Sequence, residues 1–199
     1  MLKRAFDIVF SAGWLIGFAP LLLVVAILVR LKLGSPVLFI QERPGLRAKP
    51  FRMVKFRTMT DERGPDGELL PDEQRLTAFG KFLRSSTLDE FPEMWNVLLG
   101  DMSVVGPRPL LMRYVPRYSP FQARRMELKP GVTGWAQING RNLLSWEEKF
   151  ALDVWYVDHR TFWLDMKIVV MTFFKVFARS GINSGEGKTM EEFGGNTKN

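Results

Sequence analysis

Residues 8–29, IVFSAGWLIGFAPLLLVVAILV, contain no ionisable side chain. This stretch is long enough to cross the hydrocarbon core of a bilayer, which needs roughly 20 apolar residues. It does not resemble a signal peptide, because no small-residue cleavage site closes a short apolar core. The simplest interpretation is a single transmembrane anchor.

Two features of this segment favour a re-entrant helix instead. Pro20 lies near its middle, where proline removes a helical hydrogen bond and clashes with the preceding turn. Basic residues stand on both sides, Lys3 and Arg4 before it and Arg30 and Lys32 after it, whereas a spanning helix normally shows a charge bias. A helix broken at Pro20 that returns to the same leaflet would keep both basic ends on the cytoplasmic side. The residues alone leave both alternatives open.

A second apolar segment covers residues 162–179. With the exception of Lys167, its polar residues share one narrow helical stripe: Asp165, Thr172, Lys175 and Arg179. The wide apolar face is typical of an interfacial helix that lies on a membrane. A core helix is the alternative.

The net charge of +7 is concentrated at the N-terminus, since residues 1–60 hold ten Lys or Arg against Asp7 and Glu42. This pattern predicts anionic partners, either a membrane surface or phosphorylated substrates. No nucleic acid partner is expected, because there is no recognisable binding motif and the aromatic residues are not interleaved with the basic run.

Cysteine is absent and His159 is the single histidine. The chain therefore has no disulfide framework and no thiolate chemistry, which is consistent with a cytoplasmic-side location. A multi-histidine metal site is excluded, so a divalent cation would need oxygen ligands. Such ligands favour Mg²⁺ or Mn²⁺.

The remaining pattern predicts an α+β fold that is mostly helical, with a small β-sheet. Two strands, 37–41 and 51–56, are joined by a turn at Pro44 and Gly45, and a Gly/Pro-rich loop follows at 61–72. Helices are predicted at 75–84 and 91–99, with an amphipathic helix at Trp146–His159 and a small hairpin at 130–141.

The densest group of reactive residues lies between Arg84 and Pro109. Thr87 and Glu90 fit a capping box, and Pro92 is tolerated only in or near a first helical turn, so a helix is predicted to begin near Asp89. Capping alone explains this pattern. A carboxylate at a helix N-terminus would also stay ionised at a place where phosphate oxygens bind.

Adjacent carboxylates can divide the work of a phosphoryl reaction. Asp89 could attack phosphorus and form an aspartyl-phosphate type intermediate, with Glu90 as metal ligand or proton carrier. A role for Asp89 as general base toward a hydroxyl stays open. Arg84 and Arg108 could bind phosphates bidentately.

Other charged residues have simpler interpretations. Lys55 and Arg141 could contact phosphates, but exposed charges at a strand end and a turn explain them equally well. Asp153 and Asp158 are expected on a solvated helix face. His159 is expected at the surface or its boundary.

Five segments, in order, resemble a known family: FDIVFS…AP, QERPGL, KFRTM, LDEFPEMWNVLLGDMSVVGPRP and KPGVTGWAQINGR. They are similar to the monotopic phosphoglycosyl transferases, a group of bacterial sugar transferases, over about residues 3–181. The short chain and the loop at 61–72 are most similar to the branch that transfers N,N′-diacetylbacillosamine 1-phosphate to undecaprenyl phosphate.

This resemblance implies a mechanism. The Asp89–Glu90 dyad would act with Mg²⁺ held nearby, and the aspartate would attack the β-phosphate of a UDP-sugar, releasing UMP. Undecaprenyl phosphate would then accept the phosphosugar in a ping-pong second half. Four basic residues match positions that contact phosphate or nucleotide: Lys55, Arg84, Arg108 and Arg141.

The resemblance also implies an architecture. It predicts a re-entrant membrane helix at 1–34, broken at Pro20, a catalytic domain with interfacial helices at 35–184 and a polar tail at 185–199. The enzyme would lie on the cytoplasmic face of the bacterial inner membrane, with other glycan-assembly enzymes as possible partners. Ala19 departs from the family, in which serine often precedes this proline. A UDP-releasing glycosyltransferase and a non-catalytic scaffold are the alternative functions.

Overall fold

The computed structural model describes residues 1–140, 144–177 and 192–195, which form an α+β fold that is mostly helical. The α-helices are α1 (Leu2–Gly17), α2 (Ala19–Leu33), α3 (Asp72–Arg75), α4 (Ala78–Ser85), α5 (Glu93–Leu99), α6 (Pro120–Ala123), α7 (Trp135–Ile138), α8 (Trp146–His159) and α9 (Phe162–Phe177). The strands are β1 (Leu38–Pro44), β2 (Pro50–Phe56), β3 (Ser103–Val105) and β4 (Gly131–Thr133).

Strands β1 and β2 form the predicted antiparallel pair, with Leu38 opposite Phe56 and Pro44 opposite Pro50. Strand β1 ends at Pro44 and not at residue 41 as predicted. The turn therefore begins after Pro44, whereas it was predicted to include this proline. The reason is a hydrogen bond from Gly45 N to Lys49 O, 2.8 Å long, which closes the hairpin around a short 3-10 turn.

The hairpin predicted at 130–141 is wrong. Strand β4 pairs in parallel with the distant β3, with Ser103 beside Gly131 and Val105 beside Thr133, and the chain then enters α7. A Cβ on Gly131 would lie 2.0 Å from Gly106 N. The glycine at 131 therefore permits the close approach of two segments that are far apart in sequence.

Helix α1 buries two polar residues and exposes several apolar ones. Asp7 and Ser11 are buried, whereas Leu2, Val9 and Ile16 are 62%, 73% and 76% exposed. This is the reverse of the amphipathic pattern that a helix shows at the surface of a protein in water. The outer face of α1 is therefore apolar along its length.

The start of α1 is attached to the rest of the protein by its two cations. Lys3 Nζ donates to Asp165 Oδ2 on α9 at 2.6 Å and to Val105 O on β3 at 3.0 Å. The guanidinium of Arg4 donates to carbonyls in the last turn of α5, including Val97 O at 2.6 Å. Such contacts satisfy carbonyl groups that a helix end leaves without partners.

The break was predicted at Pro20 and lies two residues earlier, at Phe18, between α1 and α2, whose axes differ by 62°. Pro20 lies in the first turn of α2, where its missing N–H costs no helical hydrogen bond. Within the described ranges, no single helix is long and apolar enough to cross a membrane. The bent pair of α1 and α2 together has the required length and composition.

The far end of α2 returns to the protein. Val25, Val29 and Leu33 are buried in one cluster with Phe56 of β2 and Leu83 of α4. Both ends of the bent pair therefore pack on the same body, α1 against α5, β3 and α9 and α2 against β2 and α4.

Helix α9 places two residues of its polar stripe, Asp165 and Thr172, against the protein. Asp165 is buried, and the Thr172 hydroxyl lies 2.7 Å from the Thr133 hydroxyl of β4. Trp163 and Phe174, in contrast, are 79% and 71% exposed. Asp165 and Thr172 thus make internal contacts, and Arg179 lies outside the described residues. Ile168 and Val169 are buried in the core, so only part of the apolar surface of α9 faces outward.

Candidate active site

The capping box predicted at Thr87 is not formed. Thr87 has a left-handed backbone (φ 57°), and its hydroxyl donates to Ser86 O at 2.7 Å instead of accepting from the next turn. A 3-10 turn spans Leu88–Glu90, and α5 begins only at Glu93. Asp89 therefore lies in a tight turn before the helix and not in its first turn.

Three carboxylates from this segment face Lys55 of β2 and Arg108 of the loop after β3. Glu90 Oε1 accepts from Lys55 Nζ at 2.8 Å and from Arg108, and Glu90 Oε2 lies 3.1 Å from Arg108 Nη1. Glu93 Oε1 lies 2.9 Å from the same Lys55 Nζ. Asp89 is 8% exposed, and its Oδ1 has no hydrogen-bond partner within the described part of the chain.

The two members of the predicted dyad have opposite pKa shifts. Burial, reinforced by the charge of Glu90, raises the pKa of Asp89 to about 6, against the opposing effect of Lys55, Arg108 and Arg84. Burial would also raise the pKa of Glu90, but Arg108 and Lys55 outweigh it and hold that pKa well below its ordinary range. At neutral pH both carboxylates are mainly ionised, and Asp89 is the more basic of the two.

Glu93 is a member of this cluster that the sequence reasoning missed. It is almost fully buried, and burial together with the charge of Glu90 raises the pKa of Glu93 to about 7. A signal was present, because Glu90 and Glu93 have the i, i+3 spacing that brings side chains together on a helical turn.

Arg43 is a second residue that was missed, although it lies in the QERPGL segment. Its guanidinium donates to Gln41 Oε1 at 2.6 Å and reaches Pro109 O at 3.4 Å, next to Arg108. Burial and the neighbouring charge of Arg108 lower the pKa of Arg43. Strand β1 therefore adds a third cation to the edge of the site.

The remaining predicted phosphate contacts are placed differently. Arg84 is exposed at the end of α4, where its Nε donates to Thr58 Oγ1 at 3.0 Å, and it reaches Asp89 only through its charge. Arg141 lies outside the described residues. The structure thus brings Lys55 and Arg108 to the dyad and leaves Arg84 at the periphery.

The solvated position predicted for Asp153 is wrong. Asp153 is buried, and its Oδ2 accepts from Arg125 Nε and Nη2 at 3.0 and 2.7 Å. The same Nη2 donates to Arg108 O at 2.6 Å. Asp153 therefore holds Arg125, and Arg125 holds the backbone of Arg108 in place.

The two other α8 residues whose positions were predicted, Asp158 and His159, lie at the surface as expected. Asp158 is exposed and pairs with Arg124 at the surface. His159 is also exposed, with its ring stacked on Trp155 at a centroid distance of 4.4 Å. Neither residue contacts the carboxylate cluster.

The donor atoms fit a divalent cation that is shared with a substrate. Among the described residues, no group of three or more Asp, Glu, His or Cys is placed to enclose a metal. Mg²⁺ is commonly held by one or two carboxylates together with substrate phosphates and water. Asp89 Oδ1 is a buried oxygen that has no hydrogen-bond partner in the described ranges, and Glu90 adjoins it, so both suit this arrangement.

The break between α1 and α2 lies beside the dyad. The ring of Phe91, which follows Glu90, is 4.9 Å from Trp14 and 5.4 Å from Phe18 between centroids. These ring contacts attach the bent pair to the turn that contains Asp89 and Glu90.

Comparisons with known proteins show the family to which this chain is related. The family model for bacterial sugar transferases matches residues 1–179. The chain is 55% identical to the uncharacterized sugar transferase EpsL of Bacillus subtilis, over 98% of this chain and 96% of that protein.

Two further relatives are named UDP-glucose:undecaprenyl-phosphate glucose-1-phosphate transferase. The protein from Klebsiella pneumoniae is 41% identical over 88% of this chain and 40% of its own length. The protein from Caulobacter vibrioides is 39% identical over 85% of this chain and 67% of its own length. The match thus spans less than half of the Klebsiella relative. Because the family model covers nearly the whole chain, the protein belongs to the bacterial sugar transferase family.

Proposed function

We propose that this sugar transferase moves a sugar 1-phosphate from a UDP-sugar to undecaprenyl phosphate and releases UMP. The observation that carries the proposal is the buried Asp89. Its Oδ1 has no hydrogen-bond partner among the described residues, and its carboxylate is influenced by the charges of Lys55, Arg108 and the more peripheral Arg84. A carboxylate with cations around it can attack an anionic phosphorus without strong repulsion. Relatives named for this reaction share 39% and 41% of their aligned residues with the chain.

The first half-reaction forms a bond between an Asp89 carboxylate oxygen and the β-phosphorus of the donor. The bond between that phosphorus and the oxygen bridging to the α-phosphate breaks, and UMP leaves with the electron pair. Lys55 and Arg108 balance the charge that builds up on the phosphoryl oxygens. In the second half, an oxygen of undecaprenyl phosphate attacks the same phosphorus and frees the carboxylate.

Glu90 serves this chemistry by orienting cations. Its two oxygens engage Lys55 and Arg108 together, so both donors are in place before a substrate arrives. Asp89 and Glu90 would hold Mg²⁺, or Mn²⁺, together with diphosphate oxygens, which would neutralise charge on the leaving UMP.

We also propose that α1 and α2 form a re-entrant membrane pair. Both ends pack on one body, which a pair spanning the bilayer with its ends on opposite sides would not allow. The side of the pair that faces away from this body exposes apolar side chains. The exposed Trp163 and Phe174 of α9 then lie at the interface. The protein would be monotopic on the cytoplasmic face of the bacterial inner membrane, with Phe18 placing the dyad within reach of a lipid phosphate.

The product nucleotide tests this function. Purified protein in nanodiscs is incubated with undecaprenyl phosphate, Mg²⁺ and one of several donors: UDP-glucose, UDP-galactose, or a UDP-acetamido sugar such as the N,N′-diacetylbacillosamine donor. We expect UMP and a lipid-linked sugar diphosphate with at least one donor. Release of UDP would identify a conventional glycosyltransferase, and no product with any donor would favour a scaffold.

The rate of the first half-reaction should fall as the pH decreases below about 6. Because burial raises the pKa of Asp89 to about 6, protonation removes the nucleophile as the pH falls through this value, two units above the ordinary aspartate range. We expect the UMP burst without acceptor to fall about tenfold per pH unit below the midpoint. The burst is measured by rapid quench from pH 5 to 8.

Glu93 provides the control for this assignment, since its pKa is raised to about 7. A Glu93→Gln variant should keep an acid limb in the pH profile. Loss of that limb would assign the titration to Glu93 and contradict the role of Asp89.

A further inference from the structure

The C-terminal residues 192–195 contain a buried aromatic side chain. Phe193 is 2% exposed, although the segment was expected to be a polar tail. Its ring lies among four others at centroid distances of 5.1 to 5.9 Å. We call these rings the aromatic socket: Tyr114, Tyr118, Trp146 and Phe150.

The backbone of this segment is held as well. Arg117 Nη1 donates to Phe193 O at 2.6 Å. Glu192 pairs with Arg113 at the surface. The segment is thus fixed by a buried ring and by a charged donor to its carbonyl, which together favour one position over many.

Two rings of the aromatic socket also contact Arg125. The guanidinium carbon of Arg125 lies 5.9 Å from the centroid of Tyr118 and 5.6 Å from that of Phe150. Both rings also contact Phe193. Arg125 is in turn the residue that donates to Arg108 O at 2.6 Å. Continuous packing therefore connects the C-terminal segment to the cation that engages Glu90.

We propose that Phe193 is a positioning residue for Arg108, acting through the aromatic socket and Arg125; this rests on the proposed function. With Phe193 in place, the rings of Tyr118 and Phe150 pack against it and exclude water from Arg125. A dry guanidinium interacts more strongly with rings and with its hydrogen-bond acceptors than a hydrated one. Removal of the ring would leave a cavity beside both aromatics.

The consequence for catalysis follows from small displacements. A shift of about 1 Å in a group that positions a substrate can reduce the rate by as much as about 10²-fold. Loosening Arg125 would release the backbone of Arg108 and so disturb one of the two cations that engage Glu90. The defect should therefore appear in the use of the UDP-sugar donor.

The test compares Phe193→Ala and Phe193→Leu in the full chain in nanodiscs. We expect Phe193→Ala to lower kcat/KM for the donor about tenfold or more, and the larger leucine to restore most of the loss. Glu192→Gln, which alters only the surface pair, should behave as wild type. A free peptide of residues 190–197, MEEFGGNT, should rescue Phe193→Ala, and the same peptide with alanine for phenylalanine should not.

A second measurement does not depend on turnover. Hydrogen–deuterium exchange in residues 104–111 should increase in Phe193→Ala relative to wild type, because Arg108 loses its support. Unchanged exchange there, or wild-type kcat/KM with only a lower Tm, would overturn the proposal and leave Phe193 a purely structural residue. Absence of UMP formation by the wild type would instead contradict the proposed function, and the exchange data would still decide the role of Phe193.

Discussion

Asp89→Asn is expected to reduce UMP release by about 10³-fold or more, because an amide cannot attack phosphorus as a carboxylate does. The substitution keeps the size of the side chain and leaves the Glu90 contacts to Lys55 and Arg108 in place. UMP release is measured with and without undecaprenyl phosphate. The same change at the exposed Asp158 is the matched control and should preserve activity.

A trapping experiment distinguishes a role of Asp89 as nucleophile from a role as general base. Wild-type protein given a donor with a labelled sugar, but no acceptor, should carry the label on the peptide that contains Asp89. A general base would form product without any adduct. Product formation by the wild type under conditions where no labelled peptide is found would therefore end the covalent mechanism.

The stability of Asp89→Asn provides a further check. Burial disfavours the ionised form of Asp89, as its pKa of about 6 shows. A neutral amide avoids this cost, so the variant should unfold at the same temperature as wild type or at a higher one. A loss of activity with a markedly lower Tm would indicate misfolding in place of lost chemistry.

Asp153→Asn is expected to lower the free energy of unfolding by about 3 kcal/mol, because it leaves the buried guanidinium of Arg125 without its counter-charge. Unfolding is followed by tryptophan fluorescence during a urea titration in detergent micelles. Asp158→Asn is again the control, since it lies on the same helix but pairs with Arg124 at the surface. It should unfold close to wild type, and equal effects of both changes would contradict the buried pair.

A double variant distinguishes stability from positioning. Arg125→Met combined with Asp153→Leu replaces the buried pair by apolar groups and should recover most of the lost stability. It also removes the donor to Arg108 O. Activity should therefore stay low in a stable protein. Full activity of the double variant would show that Arg125 does not position Arg108.

The local patterns in the sequence predicted the elements that depend on neighbouring residues. Helix α8 begins and ends as predicted, with Ser145 and Glu148 forming a capping box at its start. The β1–β2 hairpin was found from apolar alternation on both sides of a turn. The break at Phe18 was anticipated from Pro20. In each case the decisive interactions lie within a few residues along the chain.

The site was predicted in part. Asp89 and Glu90 were singled out, and Lys55 and Arg108 lie beside Glu90. That these two cations contact phosphate or nucleotide, as the resemblance implied, stays a prediction. Arg43 was missed because nothing local shows that β1 folds beside Arg108.

The sequence by itself determined the apolar segments, the local helices and the carboxylate pair, because periodicity, capping and composition are properties of adjacent residues. Only the tertiary structure decided that β4 pairs with β3, that Asp153 is buried against Arg125 and that Phe193 enters the aromatic socket. These contacts join residues that are distant in the chain. Whether a charge is solvated or paired, and whether a ring is exposed or packed, depends on the partner that the fold brings to it.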